Sequence, residues 1–243
     1  MEMKTLTIDH VALSYGKERL VLSDISLVAD KERITVILGP SGCGKTSLLR
    51  IAAGLIAPDS GTVMIDGRSP VPGRDTALLF QDARLLPWRT ARQNLMIVLS
   101  SGRADTADTL LARVGLEGAG DLYPEELSGG MQQRLALARA LATPAPLLLM
   151  DEPFASLDAL AREDMQSELL RVLDAEKERR ILFVTHSVDE ALILADQIVL
   201  MRPAPGRVDQ IVRPALGPAG SARRDHPAFA DIRRDLADAL HRS

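Results

Sequence analysis

Aromatic residues are scarce. One tryptophan, two tyrosines and four phenylalanines make up 3% of the 243 residues. The core must therefore be aliphatic, and a protein that stacks aromatic side chains on sugars or single-stranded nucleic acid is disfavoured. Cysteine is nearly absent too. A single Cys43 rules out an intrachain disulfide and fits a reducing compartment. Excess positive charge is missing: 29 basic residues face 33 acidic ones, a net charge of -4, so nothing global recommends nucleic acid as a partner. No uninterrupted apolar run approaches the ~18 residues a membrane-spanning helix needs, and the N-terminal residues carry no signal-peptide apolar segment. Docking onto a membrane protein is still open. The hydrophobic fraction of 46% excludes compositional disorder. The length suits one large α/β domain, or a core with a smaller subdomain.

The first 30 residues read as β, with apolar patterns at Leu6, Ile8 and Val11 and again over 20–28. Residues 33–38 form a near-continuous apolar strand, as a buried parallel position requires. A glycine-rich turn follows, then a helix from about Lys45 that ends near Gly54. Strands are expected at 62–65, 77–80, 147–150, 181–184 and 197–201. Residues 87–141 read as mainly helical, with helices at 91–99, 106–114 and after Ser128-Gly129-Gly130. A further helix carries Met165, Leu169 and Leu173. The Pro- and Gly-rich stretch 203–221 reads as loose, and a last amphipathic helix covers 229–240. The whole is α/β with a helical segment inserted between core strands.

Gly39-Pro40-Ser41-Gly42-Cys43-Gly44-Lys45-Thr46 has the Walker A form, with an apolar strand before it and a helix after. Its glycines let consecutive backbone N–H groups wrap a phosphate, and the helix N-terminus adds unpaired donors. Lys45 can reach the β and γ phosphates, and the Thr46 hydroxyl can ligate Mg²⁺. The strand 147–150 runs into Asp151-Glu152 at its C-terminal end, where ligand crevices of parallel sheets lie. Asp151 is suited to holding Mg²⁺, and Glu152 to polarising an attacking water as general base. Cys43 reads as a small filler without chemistry of its own.

Leu127-Ser128-Gly129-Gly130-Met131-Gln132-Gln133-Arg134 resembles the signature motif of ABC transporter ATPase subunits. Other elements of that family follow in order over residues 4–201. Tyr15 matches the aromatic position that stacks on adenine. Gln81 matches the Q-loop glutamine, Ser156-Leu157-Asp158 the D-loop, and His186 the switch histidine. Gln132 stands where many relatives have a basic residue, and Thr46-Ser47 inverts the familiar Ser-Thr order while keeping a hydroxyl at the metal position.

The resemblance implies a P-loop NTPase core with a RecA-like sheet, an N-terminal antiparallel β subdomain and an inserted helical subdomain over about 88–141. Residues 203–243 are then a C-terminal extension of one ABC-type domain covering the chain. ATP is bound by Tyr15, Gly39, Ser41, Gly42, Cys43, Gly44, Lys45, Thr46 and Ser47. Ser128, Gly129, Gly130 and Asp158 act across a dimer of two copies. Mg²⁺ is held by Thr46, Gln81 and Asp151. Glu152, His186, Lys45 and Gln81 carry hydrolysis. Plain structural alternatives stay open for Tyr15, as packing within the β subdomain, for Asp158, as a helix N-cap, and for His186, as a satisfied core histidine after a strand.

Residues 80–88, Phe-Gln-Asp-Ala-Arg-Leu-Leu-Pro-Trp, are similar to the corresponding region of nitrate, sulfonate and taurine importer ATPases. So are 151–160, and His226-Pro227 with Phe229, Ile232, Arg233 and Leu236. The implied partners are a separate membrane permease and, indirectly, a periplasmic or lipoprotein solute-binding protein. The implied place is the cytoplasmic face of the cell membrane. Importers of thiamine precursors or other aromatic solutes, lipid or export systems, and a non-transport regulator are the alternatives. Trp88 is either an exposed anchor for the permease or a core residue of the helical subdomain.

Overall fold

The computed structural model describes residues 5–16, 19–30, 32–99, 104–155, 157–174, 179–203 and 205–241. Strands β1 (Leu6–Tyr15), β2 (Arg19–Ala29) and β4 (Ser60–Ile65) form an antiparallel sheet in the order β2-β1-β4. The buried side chains of β1 are Leu6 and Ile8, then Val11 and Leu13. That change of parity would turn half the strand outward. A bulge at His10, with φ of 48°, absorbs the extra residue and keeps all four on one face. Asp24, φ 57°, does the same in β2 between Leu22 and Ile25.

The larger sheet has the order β5-β6-β7-β3-β8-β9. It consists of β3 (Ile34–Leu38), β5 (Thr76–Leu79), β6 (Leu147–Asp151), β7 (Arg180–Thr185), β8 (Gln197–Arg202) and β9 (Arg207–Val212). All pairings are parallel except β8–β9. The apolar runs of the parallel strands are nearly continuous because both faces are covered. Ile34, Val36 and Leu38 point into one core, whereas Ile37 points into the other. Ile181 and Phe183 alternate with Leu182 and Val184 in the same way. Between the two sheets lies α1 (Lys45–Ala52), which buries Leu48, Leu49 and Ile51.

The opposite face is covered by the other helices. α2 (Ala91–Met96), α3 (Ala104–Arg113) and α4 (Gly129–Ala142) enter between β5 and β6, as the inserted helical segment requires. α5 (Ala159–Asp174) follows β6, α6 (Val188–Leu194) follows β7, and α7 (Phe229–His241) closes the described chain. The expected strands and helices are present with ends shifted by a few residues.

Two elements differ from the sequence reading. The stretch read as loose contains β9, whose exposed, charge-bearing pattern is that of an antiparallel edge strand. α6 is seven residues long and nearly wholly buried, so it has no polar face to give a helical period. No helix among the described residues is long and apolar enough to cross a membrane.

Candidate functional site

Four loops meet at the C-terminal edge of the parallel strands. They leave β3 (the glycine-rich turn), β6 (Asp151 and Glu152), β7 (His186) and β5 (Gln81). β7 lies between β3 and β6, so the turn, the carboxylates and the histidine are brought within reach of one another. Gly44 has φ of 97° and a Cβ there would strike the Leu22 side chain, so only glycine opens the α1 N-terminus at this point. Beneath the turn, Gly206 abuts the Cys43 carbonyl, leaving no room for a side chain. The β8–β9 connection thus underlies the phosphate loop, a support that the sequence reading missed.

Lys45 is 4% exposed. Its ammonium donates to the carbonyls of Gly39 (2.9 Å) and Pro40 (3.0 Å) and lies 3.4 Å from Glu152 Oε1. The other carboxylate oxygen of Glu152, Oε2, is 2.8 Å from His186 Nδ1. Glu152 is therefore bracketed, one oxygen facing the phosphate-loop lysine and the other facing the histidine. Its φ of 44° is a conformation that few non-glycine residues adopt. Such strain is held only where neighbours enforce it, and here the Glu152 N–H stays tied to the Val184 carbonyl at 3.0 Å.

Thr46 Oγ1 donates to Asp151 Oδ1 at 3.0 Å. Burial pushes the Asp151 carboxyl above the ordinary carboxylate range, against the opposing pull of that hydrogen bond. A hydroxyl and a desolvated carboxylate side by side are hard oxygen donors that suit Mg²⁺, a cation that takes few protein ligands and completes its shell with phosphate and water. Burial likewise pushes the Cys43 thiol up, so it is a poor nucleophile, in keeping with a filler role.

Tyr15 is half exposed, with its hydroxyl 3.3 Å from Ser47 Oγ, which sets the ring beside the start of α1. Ser41 and Gly42 lie on the exposed crest of the turn. Ser128 is the N-cap of α4 and accepts from the Met131 N–H, while nothing stands within 4 Å of a Cβ placed on Gly129 or Gly130. This open helix start is therefore accessible. Asp158 caps α5 by accepting from the Ala161 N–H at 2.9 Å. Ser156 lies outside the described residues.

The Gln81 side chain is exposed and is not among the groups joined to Lys45, Glu152 or Asp151. What is held is its backbone. Gln133 Nε2 donates to the Gln81 carbonyl at 2.6 Å, and Arg139 donates to the carbonyls of Ala83 and Arg84. Both donors lie on α4, the helix that Ser128 starts. Trp88 is 68% exposed, so it is not a core residue. Its loop is organised by Asn94, which is fully buried in α2. Asn94 accepts from the Leu86 N–H and donates to the carbonyls of Leu86, Arg89 and Thr90. These three residues were missed. The available signal was a polar residue on an apolar stripe: Gln133 precedes Leu137 by four, and Asn94 follows Ala91 by three.

The comparisons with known proteins agree with this geometry. Residues 22–155 match the family model described as ABC transporter. The chain belongs to that family. It is 44% identical to the taurine import ATP-binding protein TauB of Mesorhizobium japonicum, with 98% of each chain covered. It is 39% identical to the nitrate import ATP-binding protein NrtC of Synechococcus elongatus, covering 97% of this chain and 38% of that longer protein. Among solved structures, the ATP-binding cassette MJ0796 in a dimeric post-hydrolysis state with ADP and Pi is similar, with a TM-score of 0.75 at 27% identity. The match covers 86% of this chain and 98% of that one. The expected fold class, a P-loop core with an added β sheet and an inserted helical segment, is borne out. The chain is an ATP-hydrolysing subunit of this transporter family.

Proposed function

We infer that this subunit powers the import of a small polar solute, of the taurine, sulfonate or nitrate class, through a separate membrane permease at the cytoplasmic face. The relatives named above support that cargo class, and a periplasmic or lipoprotein solute-binding protein would deliver it. The single observation that carries the catalytic reading is the bracketing of Glu152 between Lys45 and His186.

Two copies pair head to tail, a reading supported by the dimeric state of the similar cassette MJ0796. Each ATP then lies between the phosphate loop of one copy and the α4 start of the other. Tyr15 stacks on adenine. The N–H groups of residues 39–47, from Gly39, Ser41, Gly42, Cys43, Gly44 and Thr46 to Ser47, cradle the phosphates, and Lys45 turns its ammonium to the β and γ oxygens. The second copy contributes the Ser128 hydroxyl, the free N–H groups of Gly129 and Gly130, and Asp158 across the interface. Thr46 and Asp151, with Gln81, would hold Mg²⁺, which when bound neutralises phosphate charge. Glu152 orients the attacking water in line with the γ phosphorus and takes its proton, and His186 fixes the Glu152 carboxylate and meets the γ phosphate.

Coupling to the permease runs through residues 81–90. Their backbone is fastened to α4 and α2 by Gln133, Arg139 and Asn94, so a shift of the signature helix moves Trp88 with it. Trp88 and Ile97 stand exposed beside a groove that includes Arg89, Gln93 and Met96. An exposed aromatic anchor is the kind of residue that dominates a protein contact.

The test is reconstitution of the chain with its permease in vesicles. Solute-loaded binding protein should stimulate ATP hydrolysis severalfold, with solute accumulating inside. Hydrolysis that is indifferent to the permease would refute the transport reading.

A further inference from the structure

The function above leaves the C-terminal extension unused. Beyond β9, its residues from Leu216 onward pack on α6, with a further ion pair from Arg224 to Glu163 of α5, and the α6 contact bears on the site. α6 begins two residues after His186, with Ser187 as its N-cap. At its first turn, Arg233 of α7 grips Asp189 with two donors, Nε at 2.7 Å and Nη2 at 3.3 Å. At its other end the last carbonyls are taken by the 3₁₀ segment Ser221–Asp225 and the glycine before it. Arg223, 3% exposed, donates to the carbonyls of Leu192 and Ala195, and the Gly220 N–H donates to the Ile193 carbonyl at 3.0 Å. The remaining donors of Arg223 go to the carbonyls of Gly217 and Pro218, which locks the extension around it. Leu216, Phe229, Leu236 and Ala239 join the same apolar core as Leu192 and Leu194.

A helix of seven residues has little stability of its own. α6 is therefore placed by what holds it. Its inner side is fixed by Glu190, which accepts from the Thr185 hydroxyl and lies 3.7 Å from Arg162 of α5. Its outer side is fixed by the extension, at both ends. Because His186 is carried at the entry to this helix, a displacement of α6 moves the imidazole away from Glu152.

We propose that the C-terminal extension is a clamp on α6 that sets the position of His186, with Arg233, Asp189 and Arg223 as positioning residues for hydrolysis. This rests on the reading of His186 given above. Arg233 and Asp189 are about half exposed, and such pairs add little to global stability. Their loss therefore changes alignment rather than folding. Misplacement of a catalytic group by a fraction of an ångström lowers turnover while leaving nucleotide binding to the phosphate loop intact.

The test is a double-mutant cycle in the full chain: Arg233→Ala, Asp189→Ala and both together, read as kcat and KM for ATP with a thermal melt of each protein. Each single variant should lose about three- to tenfold in kcat with KM and melting temperature unchanged, and the double variant should be no slower than either. Arg223→Lys, which keeps the charge but not the fork, should fall in the same direction. Arg234→Ala, whose partner Asp231 is on its own helix, should match the wild type. Wild-type kcat in the single variants, multiplied losses in the double, or losses that track KM or melting temperature would overturn the clamp. His186→Ala separates the two claims. If it keeps full kcat, the reading of the site fails. If it is inactive while the Arg233 and Asp189 variants are not, the clamp alone fails.

Discussion

Replacing Asn94 removes the fastening of the Trp88 loop. Asn94 is 0% exposed, and its side chain serves four backbone groups between Leu86 and Thr90, at 2.9 to 3.2 Å. One is an accepted bond from the Leu86 N–H. The other three share the two hydrogens of the amide, so they count as about two effective donations. At ~1 kcal/mol net per bond, Asn94→Ala costs about 3 kcal/mol. For a chain of this size 1 kcal/mol moves the melting temperature by roughly 2–4 °C, so the shift should be about 6–12 °C downward. Asn94→Asp keeps the acceptor, turns the donors into an anion facing three carbonyl oxygens, and should be worse than alanine. Scanning calorimetry of the purified variants measures both. If Asn94→Ala melts within 2 °C of the wild type, or if Asn94→Asp is the milder change, the assignment of the loop's stability to this amide is wrong.

Other consequences concern the nucleotide site. Asp151, raised by burial, binds its proton more tightly folded than unfolded, so its ionised form costs stability as pH rises from the ordinary value of 3.8 through the raised one. Asp151→Asn should therefore stabilise the nucleotide-free protein at pH 7, lose that advantage as pH falls below the ordinary value of 3.8, and hydrolyse no ATP; denaturant titrations at both pH values check the sign. Alkylation of Cys43 should be slow at neutral pH, climb as pH passes the ordinary thiol value of 9.0, and slow further with ATP present. Rapid labelling at pH 7 would show the thiol to be accessible and ionised. Tyr15→Ala should weaken ATP binding by about tenfold while Tyr15→Phe leaves it unchanged, since stacking on a base contributes ~1–3 kcal/mol and the Ser47 contact adds little; fluorescence titration with a labelled ATP separates them.

Much of this was legible because the chemistry forces the residue types. A phosphate cradle needs glycines and a lysine at fixed spacing, and a parallel strand buried on both faces needs a nearly continuous apolar run, as in Ile34–Leu38 (broken only by Thr35) and Leu147–Met150. Gly39 to Thr46, Asp151, Glu152 and His186 could thus be read from the chain, and the structure brings them together. What was hidden depends on partners distant in sequence. β9 is exposed on its outer edge and carries no alternation strong enough to mark a strand. Gly206 matters because Cys43, Leu22 and Met201 lie against it. Gln133, Arg139 and Asn94 act through side chains that reach backbone carbonyls, and a carbonyl leaves no trace in sequence. Asp158 offered two readings, and the cap is what the single chain displays. Trp88 also offered two, and its exposure decides against the core.

The most direct test of the account is Glu152→Gln. Glutamine keeps the size of the side chain but removes the base that takes the water proton, along with the charge beside Lys45. The phosphate cradle, the α4 start and Tyr15 are untouched. On incubation with ATP and Mg²⁺, the variant should retain ATP without cleaving it. It should run as a dimer by size-exclusion chromatography with multi-angle light scattering, and turnover should fall at least about a hundredfold. Wild-type turnover by this variant, or a monomer that holds no ATP, would contradict the role of Glu152 and with it the central reading of the site.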